Sequence, residues 1–376
     1  MAEVLGANTI MQRALPTGLD GTKIAEWQLR EGTTYGAMLS SLSQALADVN
    51  AQLMAKWGGM FFITEEMFME YPDGSSTSLM PQITDQSQPD LVRGTTLGHM
   101  LPMYPYGKGI GGTYRFFRDA RMAQIKAGIS NLVNQGVAQF ETRFFTRLMT
   151  STENAIGSAG YDVPWVAGTA GNVDYTPPYY MGQSFTTSHN HFVGFDSGSK
   201  TFTNVFNDLA ATLDEHGIEA PYVAYCSKAD VATISALTKF VQMVNPVVQV
   251  IDRGSETTGN QMYTSGVPQV TNGTFGYFNS AYGLIELKAY YRIPTGYVGM
   301  FKSYGTNNAL NPLAVRVHPA EGFGLKIRTE TADDRQYPIK AVNVEMEFGI
   351  GIGQRREAGA VGYLVSGGTY ADPTIA

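Results

Sequence analysis

The stretch that decides the fold lies near the C-terminus and reads NPLAVRVHP (311–319), FGLKIRTET (323–331), IKAVNVEMEFGIGI (339–352) and GAVGYLV (359–365). Apolar residues recur there at every second position, as at Leu313, Val315 and Val317. A period of two is typical of strands that bury one face. No nucleophile, general base or metal-ligand cluster accompanies the pattern. It predicts an antiparallel sheet through which many copies of the chain fit together.

The composition limits the class of protein. With 376 residues the chain can form one large or two moderate domains, and its net charge of -7 offers no basic surface for nucleic acid. Charged residues make up 16%, below the roughly 25% of ordinary soluble domains. Aromatic residues reach 11%, and there are 17 methionines. Because interface cores are poor in charge and rich in aromatics and Met, this composition favours extensive contact with partners. A large β-rich monomer with Tyr-rich loops is the alternative.

Cysteine usage and the N-terminus bear on the cellular setting. Cys226 is the only cysteine, so no internal disulfide is possible, and its apolar neighbours predict a small buried residue. The first residues lack the basic start and apolar block of a signal peptide. No apolar run approaches the ~18 residues of a membrane span. We therefore expect folding in a cytoplasm and no membrane partner.

Two long amphipathic helices are predicted after an extended N-terminal arm at residues 1–33. The first covers 34–57, where apolar residues step by three or four before Gly58-Gly59. Its small residues and few flanking charges favour packing on a neighbouring sheet or subunit over a coiled coil. The second covers Arg118 to Met149, on the order of 45 Å at 1.5 Å per residue.

The remaining segments differ in residue composition and in predicted secondary structure. Residues 60–117 combine strand-like pieces with open loops and are expected to project from the molecule. Residues 151–200 are rich in Ser, Gly, Pro and Tyr and are much longer than an ordinary loop, which predicts an insertion. Residues 202–310 read as a compact mixed section, and boundaries near 200 and 310 bracket it. The long helix and the final strands would then form a second domain that is discontinuous in sequence.

Within 202–310, a helix is predicted from Phe202 to His216, ended by Gly217, and a strand from Tyr222 to Cys226. Ser227 is a candidate N-cap for a helix to about Phe240. Further strands are expected at 247–251, 266–270, 274–278, 284–287 and 297–301.

A few residues could indicate a metal, nucleotide or catalytic site, and each also has a simpler structural explanation. His189 and His191 would share one face of a strand and, with Asp196, could hold a metal, although loop residues of this kind are common. The glycines 349, 351 and 353 lie inside a strand pattern, which favours bulges or tight subunit contact over a dinucleotide loop. Ser197 lacks the context of a nucleophile elbow. We therefore expect no enzymatic activity and no cofactor.

The order of elements resembles the major capsid proteins of tailed bacteriophages with the Hong Kong 97-type fold. The likeness covers roughly residues 35–365. Residues 276–279 and 296–302 are similar to the usual end of the family's axial domain. The stretch 347–353, with Arg356 and 359–361, is similar to its closing strands.

The resemblance implies an α+β fold and a division of the chain. The implied parts are an N-terminal arm and helix (1–59), an extended loop (60–117), a peripheral domain with a long spine helix (118–201 and 311–376) and an axial domain (202–310). A long helical N-terminal segment, which some members use as a built-in scaffold, is missing, and the helix 34–57 and the stretch 151–200 look like additions.

The implied function is structural. Pentamers and hexamers of the chain would form an icosahedral head around double-stranded DNA, which is contacted non-specifically. Implied partners are other copies of the chain, scaffolding and portal proteins and a cement protein, and the location is the virion, after assembly in the host cytoplasm. Candidate inter-subunit contacts are Lys108, where some relatives carry a cross-linking lysine, and Arg118, Arg355 and Arg356.

The sequence is also compatible with three functions other than that of a phage capsid protein. One is the shell of a cellular nanocompartment of the encapsulin kind, which shares the fold family. Another is a metal-dependent hydrolase built on His189, His191 and Asp196. The third is a receptor-binding or tail protein, for which the long helix is atypical.

Overall fold

The computed structural model describes residues 35–72, 96–113, 116, 119–151, 154–156, 160–162, 177, 179–185, 190–242, 244–245, 267–268, 273–331, 339–353 and 358–375. The helices in these ranges are α1 (Tyr35–Trp57), α2 (Met122–Met149), α3 (Phe202–Glu215) and α4 (Val231–Ser235). The strands are β1 (Phe61–Thr64), β2 (Phe68–Pro72), β3 (Thr96–Met100), β4 (Tyr104–Thr113), β5 (Asn154–Ile156), β6 (Gly160–Asp162), β7 (Phe192–Asp196), β8 (Tyr222–Ser227), β9 (Phe240–Gln242), β10 (Val244–Asn245), β11 (Val267–Pro268), β12 (Thr274–Ser280), β13 (Gly283–Tyr290), β14 (Tyr297–Phe301), β15 (Leu313–Arg316), β16 (Lys326–Thr331), β17 (Ile339–Ile352) and β18 (Gly359–Val365). The α+β class predicted from the sequence is confirmed.

The first sheet has five strands and is organised around β17. The order is β1-β15-β17-β16, with β4 also paired to β17. Since β17 is 14 residues long, its first part lies between β4 and β16 while its last four residues pair with β15. The alternation noted in the sequence places Val344, Met346 and Phe348 in the core, where α2 packs against the sheet.

The second sheet has seven strands in the order β7-β18-β14-β8-β13-β12-β9. Helix α3 covers one face of it and buries Phe206, Leu209 and Leu213 completely. These residues follow the three- and four-residue spacing of a helix face that packs on a sheet. The helix ends where Gly217 takes a positive φ of 73°, as the glycine in the sequence predicts.

One aromatic cluster joins the two sheets and both long helices. The Trp57 ring, 1% exposed, meets Phe145 of α2 edge-on at 5.2 Å and Tyr290 of β13 edge-on at 5.0 Å. It also lies 5.7 Å from Tyr225 of β8. Edge-to-face aromatic pairs contribute about 0.5–1.5 kcal/mol each beyond area burial. Trp57 therefore fixes the end of α1 against α2 and the seven-stranded sheet.

The two long helices agree closely with the sequence prediction. Helix α1 begins at Tyr35 and ends at Trp57, and it packs against α2 and β16 within the same chain. The predicted packing on a neighbouring sheet is confirmed. Helix α2 begins at Met122, slightly later than predicted, where the Arg121 amide donates to Gln124 Oε1 at 3.1 Å.

The helix predicted to run from Ser227 to about Phe240 is wrong in length. Ser227 Oγ does accept the amide of Ala229, but a 3-10 turn follows and α4 ends at Ser235. Phe240 instead begins β9 and pairs with Phe278 in the sheet. An aromatic residue that has a cross-strand partner gains more in the sheet than in one further helical turn.

The expectation of a single C-terminal sheet is wrong for its last strand. Strands β15, β16 and β17 share the five-stranded sheet, but β18 pairs with β14 and β7 in the other one. Its residues 359–362 are all buried, without alternation. A strand that is buried on both faces must lie inside the protein. In the seven-stranded sheet, β18 is covered by α3.

Several strands pair with strands that the predicted division assigns to another part of the chain. In 60–117, β2 and β3 form an antiparallel hairpin, as an extended two-stranded loop requires, but β1 and β4 at its ends belong to the five-stranded sheet. In 118–201, β7 pairs with β18 in the seven-stranded sheet. The division into domains stays a prediction. The arm 1–33, the predicted strand 247–251 and most of the insertion 151–200 lie outside the described residues. No helix in the described part of the chain is long and apolar enough to cross a bilayer.

Candidate inter-subunit surface

Lys108, the candidate contact residue, is exposed on β4 at the position opposite Val344 of β17. It shares a strand face with Tyr106 and Ile110. The Tyr106 ring lies 5.0 Å from that of Phe348, and Ile110 reaches α2 at Gly128, where an added Cβ would lie 2.3 Å from Ile110 Cδ1. This face of β4 therefore turns toward α2. The other candidates, Arg118, Arg355 and Arg356, lie outside the described residues, so their role stays a prediction.

A groove of about 670 Å³ lies between α2 and the five-stranded sheet, along strands β4 and β17 of that sheet. Its floor is apolar and consists of Leu132, Leu325, Val344, Met346 and Phe348. Its rim is polar and carries Lys108, Gln135, Gln139, Thr142 and Arg143. Gly136 shapes the floor, because a Cβ there would lie 2.5 Å from Leu325 Cδ2. No direct signal of this groove is present in the sequence, because its lining comes from four separate places in the chain, namely β4, α2, Leu325 and β17.

The charge at the groove is positive. Lys108 and Arg143 are both exposed, and none of the described residues that line the groove is acidic. The Arg143 guanidinium lies 5.5 Å from the centre of the Tyr106 ring, within cation–π range. Burial raises the pKa of Tyr106, and the Arg143 charge opposes that shift. The groove thus combines an apolar floor with two cationic side chains at its mouth.

A second exposed segment lies at the start of the β2–β3 hairpin and reads Glu65-Glu66-Met67-Phe68. All four residues are exposed, with Met67 at 51% and Phe68 at 45%. Met69, the next residue, is 2% exposed. The Met67 carbonyl accepts the Leu101 amide at 2.8 Å, which fixes the backbone of the segment. Two adjacent large apolar side chains held in solvent on a fixed backbone are typical of a contact surface.

A tight turn exposes another pair of large apolar side chains. Tyr179 is 66% and Met181 79% exposed, and Met181 has a φ of 45°, which is uncommon for a residue other than glycine. Tyr180 is anchored to α3 by a hydrogen bond that its hydroxyl donates to Asp214. That bond raises the pKa of Tyr180 to about 12.

The interior between the helices holds a buried carboxylate. The Glu141 side chain is 4% exposed and accepts from Lys56 Nζ at 2.9 Å and from Trp57 Nε1 at 3.2 Å. Arg292 Nε lies 3.5 Å from its other oxygen. A carboxylate in such a position needs these partners, because removing a charge from water costs several kcal/mol. The network is structural, since it joins α1, α2 and the end of β13.

The hypothetical metal site built on His189, His191 and Asp196 does not come together in the described residues. His189 lies outside them. His191 immediately precedes β7 and Asp196 is the last residue of that strand, so the two lie about 16 Å apart at the rise of an extended strand. Asp196 instead accepts the amides of Gly198 and Gly367, which lower its pKa.

His191 has a different partner, which the sequence did not indicate. Its Nδ1 lies 2.7 Å from the Gly359 carbonyl oxygen, and its Nε2 lies 3.0 Å from Nε2 of His216 at the end of α3. Within the described ranges, no group of three or more His, Cys, Asp or Glu is placed to hold a metal ion.

The glycines of 349–353 allow close contact within the chain. A Cβ at Gly349 would lie 2.3 Å from the Pro102 carbonyl oxygen, and one at Gly353 would lie 2.8 Å from the Phe62 ring. Bulges or tight contact between subunits were predicted here. The structure shows tight contact between the chain's own segments, because β17 passes directly over the connection between β3 and β4.

The fold matches that of a solved phage structure. A structure from Mycobacterium phage Patience aligns with a TM-score of 0.59 and 18% identity, over 92% of this chain and 93% of that one. The cyanophage Pam1 capsid asymmetric unit gives 0.45 at 11% identity, over 81% and 88%. The SrpI encapsulin complex from Synechococcus elongatus gives 0.39 at 12% identity, over 84% and 89%. The last two scores are too low to support an argument.

No protein-family model matches the chain, and no curated protein sequence matches it. At 18% identity, the likeness to the Mycobacterium phage structure shows the fold alone. The chain therefore has an α+β fold that it shares, over nearly its whole length, with a structure from Mycobacterium phage Patience.

Proposed function

We propose that this chain is the major capsid protein of a tailed bacteriophage, with the Hong Kong 97-type arrangement of arm, extended loop, peripheral domain and axial domain. The observation that carries the proposal is the fold likeness to the Mycobacterium phage structure over 92% of this chain. Copies of the chain associate into pentamers and hexamers, which close into an icosahedral head around double-stranded DNA.

The surface of the chain supports this role. Large apolar side chains are exposed at separate places, including Phe68, Tyr104, Met181 and Tyr291, each at 40% or more. Met67 beside Phe68 adds to the exposed apolar area. A subunit that is surrounded by neighbours within a shell needs several contact surfaces. Burial of such side chains stabilises an assembly by roughly 25 cal/mol per Å², before association costs are subtracted.

The partners follow from the same role. Scaffolding and portal proteins take part in assembly, and a cement protein is a further candidate partner. The packaged DNA touches the inner wall without specific contacts, in keeping with a net charge of -7. The chain works as a structural component of the virion and needs no catalytic step of its own.

The mass of the purified protein tests the proposal. We expect capsomers or closed shells of megadalton scale in light scattering and electron microscopy. A monomer of 40.8 kDa that persists at high protein concentration would contradict it. Shells isolated from their source with a protein cargo and no DNA would instead favour a nanocompartment.

A further inference from the structure

Two histidines from separate parts of the chain meet at the end of α3. His191 lies directly before β7 and is 0% exposed, while His216 is the C-cap residue of α3 and is half-buried. Their Nε2 atoms are 3.0 Å apart, and Nδ1 of His191 lies 2.7 Å from the carbonyl oxygen of Gly359, the first residue of β18. The pair therefore joins the end of α3 to the beginnings of two paired strands, β7 and β18.

The Gly359 carbonyl determines which nitrogen of His191 carries a hydrogen. A carbonyl oxygen can only accept, so Nδ1 of His191 is the donor, and in the neutral ring its Nε2 is left as an acceptor. The contact between the two Nε2 atoms then requires His216 to donate its Nε2–H to His191. This hydrogen bond forms when both rings are neutral.

One added proton leaves the contact in place. If His216 takes up the proton at Nδ1, its Nε2–H still points at the lone pair of His191 Nε2. A hydrogen bond from a charged donor is stronger than one between neutral groups. A positive charge on His216 is also favoured by its position, because the C-terminal end of a helix dipole is negative.

A second proton is incompatible with the contact. Nε2 of His191 would then carry a hydrogen as well, so two N–H groups and two positive charges would face each other across 3.0 Å. The His191 ring is buried and bonded to Gly359, so it cannot turn away without breaking that bond. The backbone carbonyl of His191 accepts the Val361 amide at 2.7 Å, so a displacement of His191 also loosens β18 from the start of β7.

Other titratable groups lie around the end of α3. They are carried by α3 itself (Asp214, Glu215), the segment after it (Glu219, Tyr222), the exposed turn (Tyr180) and the segment after β14 (Lys302, Tyr304). Strands β7 and β18 carry no charged side chain except Asp196, at the far end of β7.

These groups do not neutralise a second proton in acid. The Asp214 carboxylate already accepts a hydrogen bond from the Tyr180 hydroxyl. Burial raises the pKa of Glu215, and the Asp214 charge adds to that shift, so Glu215 loses its charge at a higher pH than an ordinary glutamate. Lys302 contributes a positive charge beside Glu219. The negative charge near the pair therefore declines as the imidazoles take up protons.

We propose that the His191–His216 pair is an acid-sensitive latch, which holds α3 to β7 and β18 while it carries at most one proton and opens when it takes up a second. The inference goes beyond the shell function, because it concerns the folded chain whether or not copies assemble. A free imidazole takes up its proton near about pH 6.5, so in acid the unfolded chain binds two protons at these positions and the closed latch binds one. Since the unfolded state binds more protons, the stability that the latch contributes is present above about pH 6.5 and is lost as the pH falls.

His216→Gln tests the latch by removing the second ring that titrates. A glutamine amide can turn either its nitrogen or its oxygen toward His191 Nε2, so it keeps a hydrogen bond whether His191 is neutral or protonated. In urea unfolding between about pH 6.5 and pH 5, we expect the unfolding equilibrium constant of the wild type to rise more than that of the variant, by up to about tenfold for each pH unit, because one proton separates the two states.

The matched control is His318→Gln. It makes the same substitution at an exposed histidine, whose Nδ1 accepts the Ala320 amide and which lies outside the pair. We expect this variant to keep the pH dependence of the wild type.

Hydrogen exchange locates the opening in the chain. Exchange is compared at about pH 7.5 and about pH 5.5, after correction for the intrinsic effect of pH on exchange, in residues 191–197 and 359–365. We expect these segments to lose protection in acid in the wild type and to keep it in His216→Gln. Residues 284–290 of β13, in the same sheet but away from the pair, serve as the internal reference.

Three results would overturn the latch. One is the same pH dependence of unfolding in the wild type and in His216→Gln. Another is a loss of stability in His216→Gln that is equal at neutral and acid pH, which would make the pair a purely structural contact. The third is protection of 191–197 and 359–365 in the wild type that does not change between the two pH values.

Discussion

The free energy of unfolding is expected to depend strongly on the buried carboxylate of Glu141. Glu141→Ala removes the acceptor that Lys56 Nζ and Trp57 Nε1 share, and with it the carboxylate oxygen that lies 3.5 Å from Arg292 Nε. The Lys56 side chain is 45% exposed and can return to water, so its loss of a partner costs at most about 1 kcal/mol. Trp57 Nε1 is buried and left without this acceptor, which costs about 1–3 kcal/mol.

The largest contribution comes from Arg292, whose side chain is only 11% exposed. Losing one partner of a buried ion pair destabilises a protein by about 3–5 kcal/mol in total, because the remaining charge is uncompensated. We therefore expect Glu141→Ala to lower the free energy of unfolding by about 3–5 kcal/mol. Glu141→Gln keeps an acceptor for Trp57 Nε1 and should cost less.

Urea unfolding of the unassembled chain, followed by tryptophan fluorescence and circular dichroism, measures this difference. The control is Glu345→Ala, which removes an exposed carboxylate 2.8 Å from Arg328, with side-chain exposures of 38% and 53%. We expect a change below about 1 kcal/mol there. If Glu141→Ala costs no more than Glu345→Ala, the argument that this network anchors the helices is refuted.

Two further predictions concern a close backbone contact and a buried carboxyl. Gly194→Ala would place a Cβ 2.2 Å from the Gly368 carbonyl oxygen, whereas Gly198→Ala meets nothing nearer than 3.5 Å. We expect a loss of about 1–3 kcal/mol for the first and little change for the second, measured by urea unfolding. Burial raises the pKa of Asp230, with the Gly296 amide opposing the shift. Asp230 therefore takes up a proton more readily in the folded chain than in the unfolded chain. This difference stabilises the fold fully below about pH 3.9, and the stabilisation is lost as the pH rises through the raised pKa of Asp230. In Asp230→Asn this part of the pH dependence of the unfolding midpoint disappears; an unchanged dependence would count against the assignment.

The sequence alone was sufficient where structure is local. The three- and four-residue spacing of apolar residues from 34 to 57 predicted α1 at both ends, and the helix predicted from Arg118 to Met149 includes all of α2. Helical hydrogen bonds join residues four apart, so the pattern and its partners lie in the same stretch of chain. The alternation around Val344 was correct for the same reason, since the period of a strand is a local property.

The candidate surface was only partly accessible to sequence reasoning. Lys108 was singled out, and it does lie at the mouth of the groove, but its neighbour Arg143 is 35 positions away in the sequence and was not singled out. The His191–His216 contact was missed, and Asp196 was considered in its place. Proximity in sequence suggested the wrong partner, because an extended strand separates its two ends by its full length.

The sequence by itself determined helices α1, α2 and α3, the alternating strands, the α+β class and a composition poor in charge. Only the tertiary structure decided which sheet each strand joins. Residues 339–352 and 359–365 are close neighbours in the sequence, yet they lie in different sheets, because β18 is apolar on both faces and is covered by α3 in the seven-stranded sheet. Strand pairing depends on distant partners and on which faces are already covered, and neither can be read from a single stretch of chain. The groove at β4 and α2 has the same origin, since it exists only after β4, α2, Leu325 and β17 have packed together.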